Sequence, residues 1–235
     1  MKNTGRLYLL PNLIAEGTAS SALPDYNRLL IAELGHFICE HAKQLRVLLK
    51  ASGLKSPYDH IEFFELNKHT NQHEISSFLK PLFEGKDMGL VSDAGCPGVA
   101  DPGAQVVEIA HQKNIEVIPL VGPSSLLMAL MASGFNGQQF TFNGYLPQKE
   151  KELKNKLLEL ERKALAGSTE LFIEAPYRNQ KMLDFILKSL GANTKLCIAF
   201  NIMGQNAFIK TKPVFLWRKE KLKLSKEPAV FIIGR

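Results

Sequence analysis

Between Gly89 and Gly103 a short apolar run, Gly89-Leu-Val-Ser, ends at Asp93, and three glycines and two prolines follow by Gly103. That is how a buried strand hands over to a tightly shaped loop. The glycines let backbone amides approach a bound molecule closely, and the prolines limit how far the loop relaxes. Asp93 and Asp101 supply acceptors. A helix signal over Ala104 to Lys113 and a strand signal over Ile115 to Leu120 complete a strand-loop-helix-strand unit. A second breaker cluster, Gly122-Pro-Ser-Ser, opens an apolar helix from Leu126 to Ser133. In open α/β sheets the loops at the carboxyl ends of strands are where ligands bind.

The same alternation predicts the rest of the first half. Strands are expected at Arg6 to Leu10, His36 to Glu40 and Ile61 to Leu66, with helices over Asp25 to Leu34, up to about Leu49, and Asn71 to Phe83. Strands alternating with helices imply a mostly parallel sheet covered on both faces. After Phe140 the punctuation changes. Strands at Thr141 to Leu146, Thr169 to Glu174, Lys195 to Phe200, Phe208 to Trp217 and Pro228 to Gly234 enclose helices over Lys149 to Lys163 and Asn179 to Leu190. Consecutive late strands predict a mixed second sheet. The fold class is therefore α/β with two α/β domains, residues 1–121 and 122–235; 235 residues suit two domains of about 100 residues each.

Charge is unevenly placed. Eight basic and two acidic residues between Gln205 and Arg235 carry the whole net charge of +6. Such a segment attracts nucleic acid through phosphate neutralisation, or is a solvated lysine-rich edge. From Val117 to Gln148 there is no charge, but prolines and glycines interrupt the stretch far short of the roughly 20 apolar residues of a membrane span, so it reads as buried core. The start runs straight into Leu7-Tyr-Leu-Leu, so neither a signal nor a transit peptide is expected. Cys39, Cys96 and Cys197 are odd in number and lack Cys-x-x-Cys spacing, which points to a reducing cytoplasm and away from a zinc site. Cys96 reads as a small inert residue rather than a reactive thiol. His69 and His73, four apart on a helix, lack a third ligand in view and read as solvent-exposed; no metal is expected. The aromatic set Phe140, Phe142 and Tyr145 reads as core.

Four segments, Val91-Ser-Asp-Ala-Gly-Cys-Pro-Gly-Val-Ala-Asp-Pro-Gly, Val117-Ile-Pro-Leu-Val-Gly-Pro-Ser-Ser-Leu, Phe142-Asn-Gly-Tyr-Leu-Pro-Gln-Lys and Phe172-Ile-Glu-Ala-Pro-Tyr-Arg, in that order and at those separations, resemble the tetrapyrrole methylase superfamily. Within it they look like the branch that methylates a ribose 2′-hydroxyl of 16S ribosomal RNA. The resemblance implies a two-domain homodimer that binds S-adenosylmethionine in a cleft between its domains, and the chain has no Gly-x-Gly-x-x-Gly after its first strand. It further implies that Asp93, Ala94, Gly95, Pro97 and Val99 shape the cofactor loop, that Ser124 and Ser125 meet the methionine end, and that Glu174 and the Ile202-Met203 region receive the adenosine. The implied partner is ribosomal RNA or the small ribosomal subunit, in the cytoplasm and with no membrane.

Three segments depart from the branch. Leu10-Pro-Asn-Leu-Ile-Ala stands where the branch resembles Thr-Pro-Ile-Gly-Asn-Leu, Glu40-His-Ala-Lys where it has an acid-threonine-arginine run, and Ala199-Phe-Asn-Ile-Met where it has Arg-Glu-Leu-Thr-Lys. These lie towards the substrate and leave a small acceptor such as a tetrapyrrole, or a non-catalytic binding protein, as alternatives. A ribose hydroxyl needs a proton acceptor as its new bond forms. Glu40, His41 and Lys43 are candidates by position, with an ordinary surface role equally open, and the catalytic base stays unassigned. Glu174 is an acceptor for ligand or a partner of Arg178.

Overall fold

A computed structural model describes residues 4–66 and 70–235, with the backbone alone at Gln72. The chain divides into two compact units, one ending at Ser124 and the other beginning at Ser125. Strands of the first unit are β1 (Leu7–Leu10), β2 (His36–Cys39), β3 (Glu62–Glu65), β4 (Met88–Val91) and β5 (Val117–Pro119). Its helices are α1 (Ala19–Ala22), α2 (Asp25–Glu33), α3 (Ala42–Ala51), α4 (Gln72–Phe78), α5 (Lys80–Phe83) and α6 (Gly103–Gln112). The strands pair in parallel in the order β3-β2-β4-β1-β5.

Successive side chains of a strand point to opposite faces, and here both faces are covered. Tyr8, Leu10, Phe37 and Val91 pack with Ile31, Leu45, Leu48 and Leu49 on one side; Leu7, Ile38, Met88 and Leu90 pack with Ile75, Leu82, Val106 and Ile109 on the other. Burial on both faces is why these strands read as unbroken apolar runs. Gly89 holds the centre, where a Cβ would sit 2.5 Å from Leu10 Cδ1 and 2.8 Å from Phe37 Cδ1. The helix expected over Asn71 to Phe83 starts on a capping box between Asn71 and Glu74 but breaks at Leu79 into α4 and α5. Pro81 cannot donate to the ladder and its ring crowds the preceding turn.

The second unit contains α7 (Ser125–Ser133), β6 (Phe140–Tyr145), α8 (Glu150–Leu165), β7 (Thr169–Glu174), a 3-10 turn at Pro176–Arg178, α9 (Asn179–Ser189), β8 (Lys195–Phe200), β9 (Phe208–Pro213), α10 (Val214–Glu220) and β10 (Ala229–Gly234). The sheet order is β6-β7-β10-β8-β9. Only β6 and β7 are parallel; the other three pairings are antiparallel, so the sheet is mixed as expected. A core of Leu153, Leu157, Phe172, Leu183, Trp217 and Phe231 lies beneath the helices.

Two expectations fail here. The strand expected over Phe208 to Trp217 stops at Pro213, and a helix begins at Val214. Val214 and Trp217 are three apart, a helical spacing, and both are buried. Trp217 Nε1 also donates to Leu196 O at 2.9 Å, which a strand would place out of reach. The uncharged stretch is not all core. α7 turns Ala129, Leu130 and Ser133 inward, whereas Leu127 and Met131, one turn apart, are 53% and 83% exposed. β6 is an edge strand, and Phe140 and Tyr145 are exposed on it. An apolar composition says that a segment is compatible with burial, not that every face has a cover. No helix among the described residues is long and apolar enough to cross a membrane.

Trp217→Ala removes a buried ring and leaves Leu196 O without its donor. It is expected to cost about 3–5 kcal/mol, read as a lowered urea midpoint at 25 °C.

Candidate functional site

The parallel register sets the site in the first unit. Leu10 and Cys39 both pair with Val91, so the residues just past β1, β2 and β4 emerge side by side at the carboxyl edge of the sheet. These are Asn12, Glu40 with His41, and Ser92 with Asp93.

Asn12 ties the first strand to the loop. Its N–H donates to Gly95 O at 2.8 Å, and Gly95 N–H donates back to Asn12 O at 3.1 Å. Its side-chain amide donates to Ser92 O at 2.9 Å and Asp93 O at 3.2 Å, while its Oδ1 accepts from Leu13 N–H at 2.7 Å. Ser92 Oγ donates to Gly95 O at 3.0 Å from the other side. Asn12 is 3% exposed, so these bonds form away from water. In the sequence it stands out only as part of the Leu10-Pro-Asn-Leu-Ile-Ala segment that departs from the branch. The available signal was an asparagine directly after a strand, where its side chain can stand in for backbone.

Asp93 and Asp101 separate in role. Asp101 accepts from Gly98 N–H at 2.9 Å and Gly103 N–H at 2.6 Å, which makes it the internal brace of the loop. Gly95 and Gly98 hold φ of +72° and +82°, values that only glycine adopts without strain. Asp93 faces outward from this brace. Its Oδ2 lies 2.7 Å from His41 Nδ1, and its N–H donates to Glu40 Oε1 at 3.0 Å. Its Oδ1 is buried and has no hydrogen-bond partner among the described residues. Burial pushes the Glu40 carboxyl up, the Asp93 amide pulls it back, and the Asp93 and Asp101 charges add to the rise. The hydrogen bond to Asp93 holds the His41 imidazole above its ordinary value.

Of the other loop residues expected to meet the cofactor, Ala94 and Val99 are exposed, while Gly95 and Pro97 are buried. Ser124 is the last residue of the first unit, and Ser125 is the first residue of α7 in the second. Cys96 Sγ donates to Pro123 O at 3.5 Å and burial raises its thiol, so it is packed rather than reactive. Burial pushes the Cys39 thiol up to about 12. His69 lies outside the described residues, and among those described no group of three or more potential ligands gathers for a metal.

In the second unit, Ala229 of β10 pairs with Glu174 on one side and Phe200 on the other. The turns that leave β7 and β8 therefore emerge at the same sheet edge, bringing Glu174 together with Asn201, Ile202 and Met203. Glu174 is buried; its Oε1 accepts from Ala175 N–H at 2.8 Å. Arg178 Nη2 lies 2.9 Å from Oε2, yet Oε2 has no hydrogen bond, because the ion-pair contact lies off the N–H direction. Of the two roles open to Glu174, that of partner to Arg178 is occupied, and one buried lone pair is left over. Asn201 and Met203 hold φ of +47° and +66°, and Asn201 O accepts from Gly204 N–H at 2.7 Å. Ile202 is buried between them.

No family model matches the chain. The ribosomal RNA small subunit methyltransferase I of Vibrio cholerae is 38% identical over 136 residues, which cover 58% of this chain and 46% of that protein. The protein of the same name from Thermotoga maritima is 34% identical over 183 residues, 76% of this chain and 78% of that one. The chain spans about half to about three quarters of the length of the curated relatives it matches. Among solved structures, the methyltransferase CobJ shares the fold with a TM-score of 0.64 over 99% of this chain and 95% of its own, at 14% sequence identity.

Asn12→Ala strips two carbonyls of their donor and is expected to cost about 1–3 kcal/mol, with faster amide exchange confined to residues 92–103. A global loss of protection would instead make Asn12 a core residue rather than a loop latch. Glu40→Gln keeps the acceptor and removes the charge. The folded-state pKa of Glu40 is raised, so wild-type stability falls as pH rises through it. The variant is expected to have the higher urea midpoint at pH 8, with the gap closing as pH drops through the carboxylate range.

Proposed function

Because this chain belongs to the ribosomal RNA small subunit methyltransferase I family of the tetrapyrrole methylase superfamily, we propose that it transfers a methyl group from S-adenosylmethionine to a ribose 2′-hydroxyl of 16S ribosomal RNA. The observation that carries the reading is the latched loop at the carboxyl edge of the first sheet, which presents Asp93 Oδ1 as a buried acceptor with no donor among the described residues.

The residues fit the donor. It is cationic and rich in hydroxyl and amine hydrogens, and among the described residues Asp93 Oδ1 is a buried carboxylate oxygen without a hydrogen bond, as is Glu174 Oε2 beside its Arg178 ion pair. Such atoms are costly to leave unpaired and gain a partner when a ligand donates. On this reading Asp93, Ala94, Gly95, Pro97, Val99 and Ser124 are the donor-binding residues of the first unit. Ser125, Glu174, Ile202 and Met203 are the residues of the second unit for which a cofactor role is proposed. When bound, the donor supplies a methyl group on a sulfonium, whose leaving group is already activated. The protein's share of the work is then mostly to fix the reacting atoms in line and exclude water. A loop tied down at Asn12, Ser92 and Asp101 suits that task, since positioning tolerates little slack.

The acceptor side is read from charge. Lys210, Arg218, Lys219, Lys221, Lys223 and Lys226 are all exposed in the second unit, and phosphate neutralisation by such a run gives salt-sensitive affinity. The same reading makes the protein a cytoplasmic homodimer. The exposed Met131 of α7, and Phe140 and Tyr145 of the edge strand β6, support a second copy as their cover.

Incubation with radiolabelled S-adenosylmethionine and small ribosomal subunits from a strain lacking the protein is expected to label one ribose oxygen. Label on a base, or on no nucleotide, would overturn the reading.

A further inference from the structure

We propose that His41 is the catalytic base that takes the proton from the acceptor hydroxyl, an assignment that rests on the reading of the chain as a ribose methyltransferase. The geometry begins with where β2 stops. Cys39 is its last residue, and two residues later the chain reaches the N-cap of α3. That position ordinarily selects a side-chain oxygen that accepts a first-turn amide. An imidazole is a poor substitute, and His41 makes no capping bond. Instead Glu65, at the end of the neighbouring β3, accepts the Ala42 N–H at 3.0 Å. The cap is thus provided from another strand, and the imidazole is released to turn towards β4.

There its Nδ1 sits 2.7 Å from Asp93 Oδ2. A carboxylate can only accept, so against Asp93 the neutral ring carries its hydrogen on Nδ1 and keeps the lone pair of Nε2. This is the arrangement by which a carboxylate orients a general base elsewhere. Nε2 has no hydrogen bond among the described residues, and the side chain is 69% exposed. Of the flanking candidates, Glu40 commits one oxygen, Oε1, to the Asp93 amide.

Three acids face the ring: Asp93 from the β4 loop, Glu40 from its own link and Glu65 from β3. Together they outweigh the positive end of α3, which disfavours an added proton on the ring. They therefore stabilise the imidazolium once it forms. In the step itself the hydroxyl oxygen bonds to the methyl carbon as its O–H bond breaks. The carbon–sulfur electron pair returns to sulfur, giving a neutral thioether, and the proton passes to Nε2. The positive charge lost from sulfur reappears on the His41–Asp93 pair.

The test uses three readouts. In the ligand-free protein, an NMR titration of the His41 ring is expected to give a midpoint above 6.5, and Asp93→Asn is expected to lower it. His41→Gln is expected to bind S-adenosylmethionine within threefold of wild type by calorimetry, yet to lose single-turnover methyl transfer to small ribosomal subunits by about 100-fold or more at pH 8. Because the neutral ring is the active form, wild-type transfer falls as pH drops through the NMR midpoint, and the variant loses that dependence. A smaller loss of rate, a pH profile unchanged in the variant, or loss of donor binding in His41→Gln would each overturn the assignment. A wild-type protein that binds the donor but labels no RNA overturns the ribose methyltransferase reading, and the role of His41 falls with it.

Discussion

The side-chain amide of Asn12 fixes the one irregular piece of backbone on which the site of the first unit depends. The loop from Ser92 to Pro102 is expensive to hold in one shape, because Gly95 and Gly98 surrender their freedom and Ala100 sits at φ +64°, a left-handed conformation that costs a non-glycine residue about 1 kcal/mol or more. Such backbone persists only when its surroundings over-determine it. Here the mutual amide bonds of Asn12 and Gly95, the Ser92 hydroxyl and the Asp101 brace do so from three sides. Buried hydrogen bonds of this kind each contribute only about 1 kcal/mol net, but leaving the same groups unpaired would cost more. The latch works by making every alternative loop shape worse.

With the loop fixed, the position of each carboxylate decides its chemistry. Both oxygens of Asp101 accept backbone amides of the loop itself. Asp93, a few residues earlier, is divided: one oxygen holds an imidazole and the other is buried without a donor. Glu40 bears the cost of this crowding, being partly buried and close to two like charges while it accepts one amide. A cationic ligand relieves that cost, since it adds the positive charge the edge lacks. Glu174 repeats the pattern in the second unit, where Arg178 neutralises its charge without satisfying the geometry of both oxygens. Among the described residues both carboxylates thus keep a buried oxygen without a hydrogen bond.

Much of this was legible in the order of residues, for definite reasons. Strands buried on both faces leave continuous apolar runs, so β1, β2 and β4 could be located to within a residue, and the breaker cluster after Val91 marked the loop. What could not be read were properties that belong to pairs of distant segments. Asn12 and Gly95 are far apart in sequence, and nothing local distinguishes an asparagine that ends a strand from one that bridges two. The divergence of Asp93 and Asp101 depends on which amides the folded loop turns inward. Trp217 was misplaced because the apolar run through Phe215 and Leu216 fits either period, and only Pro213 and the carbonyl of Leu196 decide for a helix. Leu127 and Met131 show the converse error, in which absence of charge was taken for burial.

The departures of the chain from its branch now have a common physical thread. Two of the three altered segments contain the residues that touch the loop: Asn12 in the first, Glu40 and His41 in the second. His41, at the N-cap of α3, makes no capping bond, and Glu65 of β3 accepts the first-turn Ala42 N–H. The imidazole is left to Asp93 Oδ2, 2.7 Å from its Nδ1. Likewise, an isoleucine, which the branch has where Asn12 stands, would have no amide to reach Ser92 and Asp93, whereas Asn12 reaches both. Substitutions that had looked like erosion of the substrate side thus converge on one carboxylate and on the loop that carries it. Asn12 through the loop backbone, Glu40 through the Asp93 amide and His41 through Oδ2 all converge on Asp93, whose Oδ1 has no hydrogen-bond partner among the described residues.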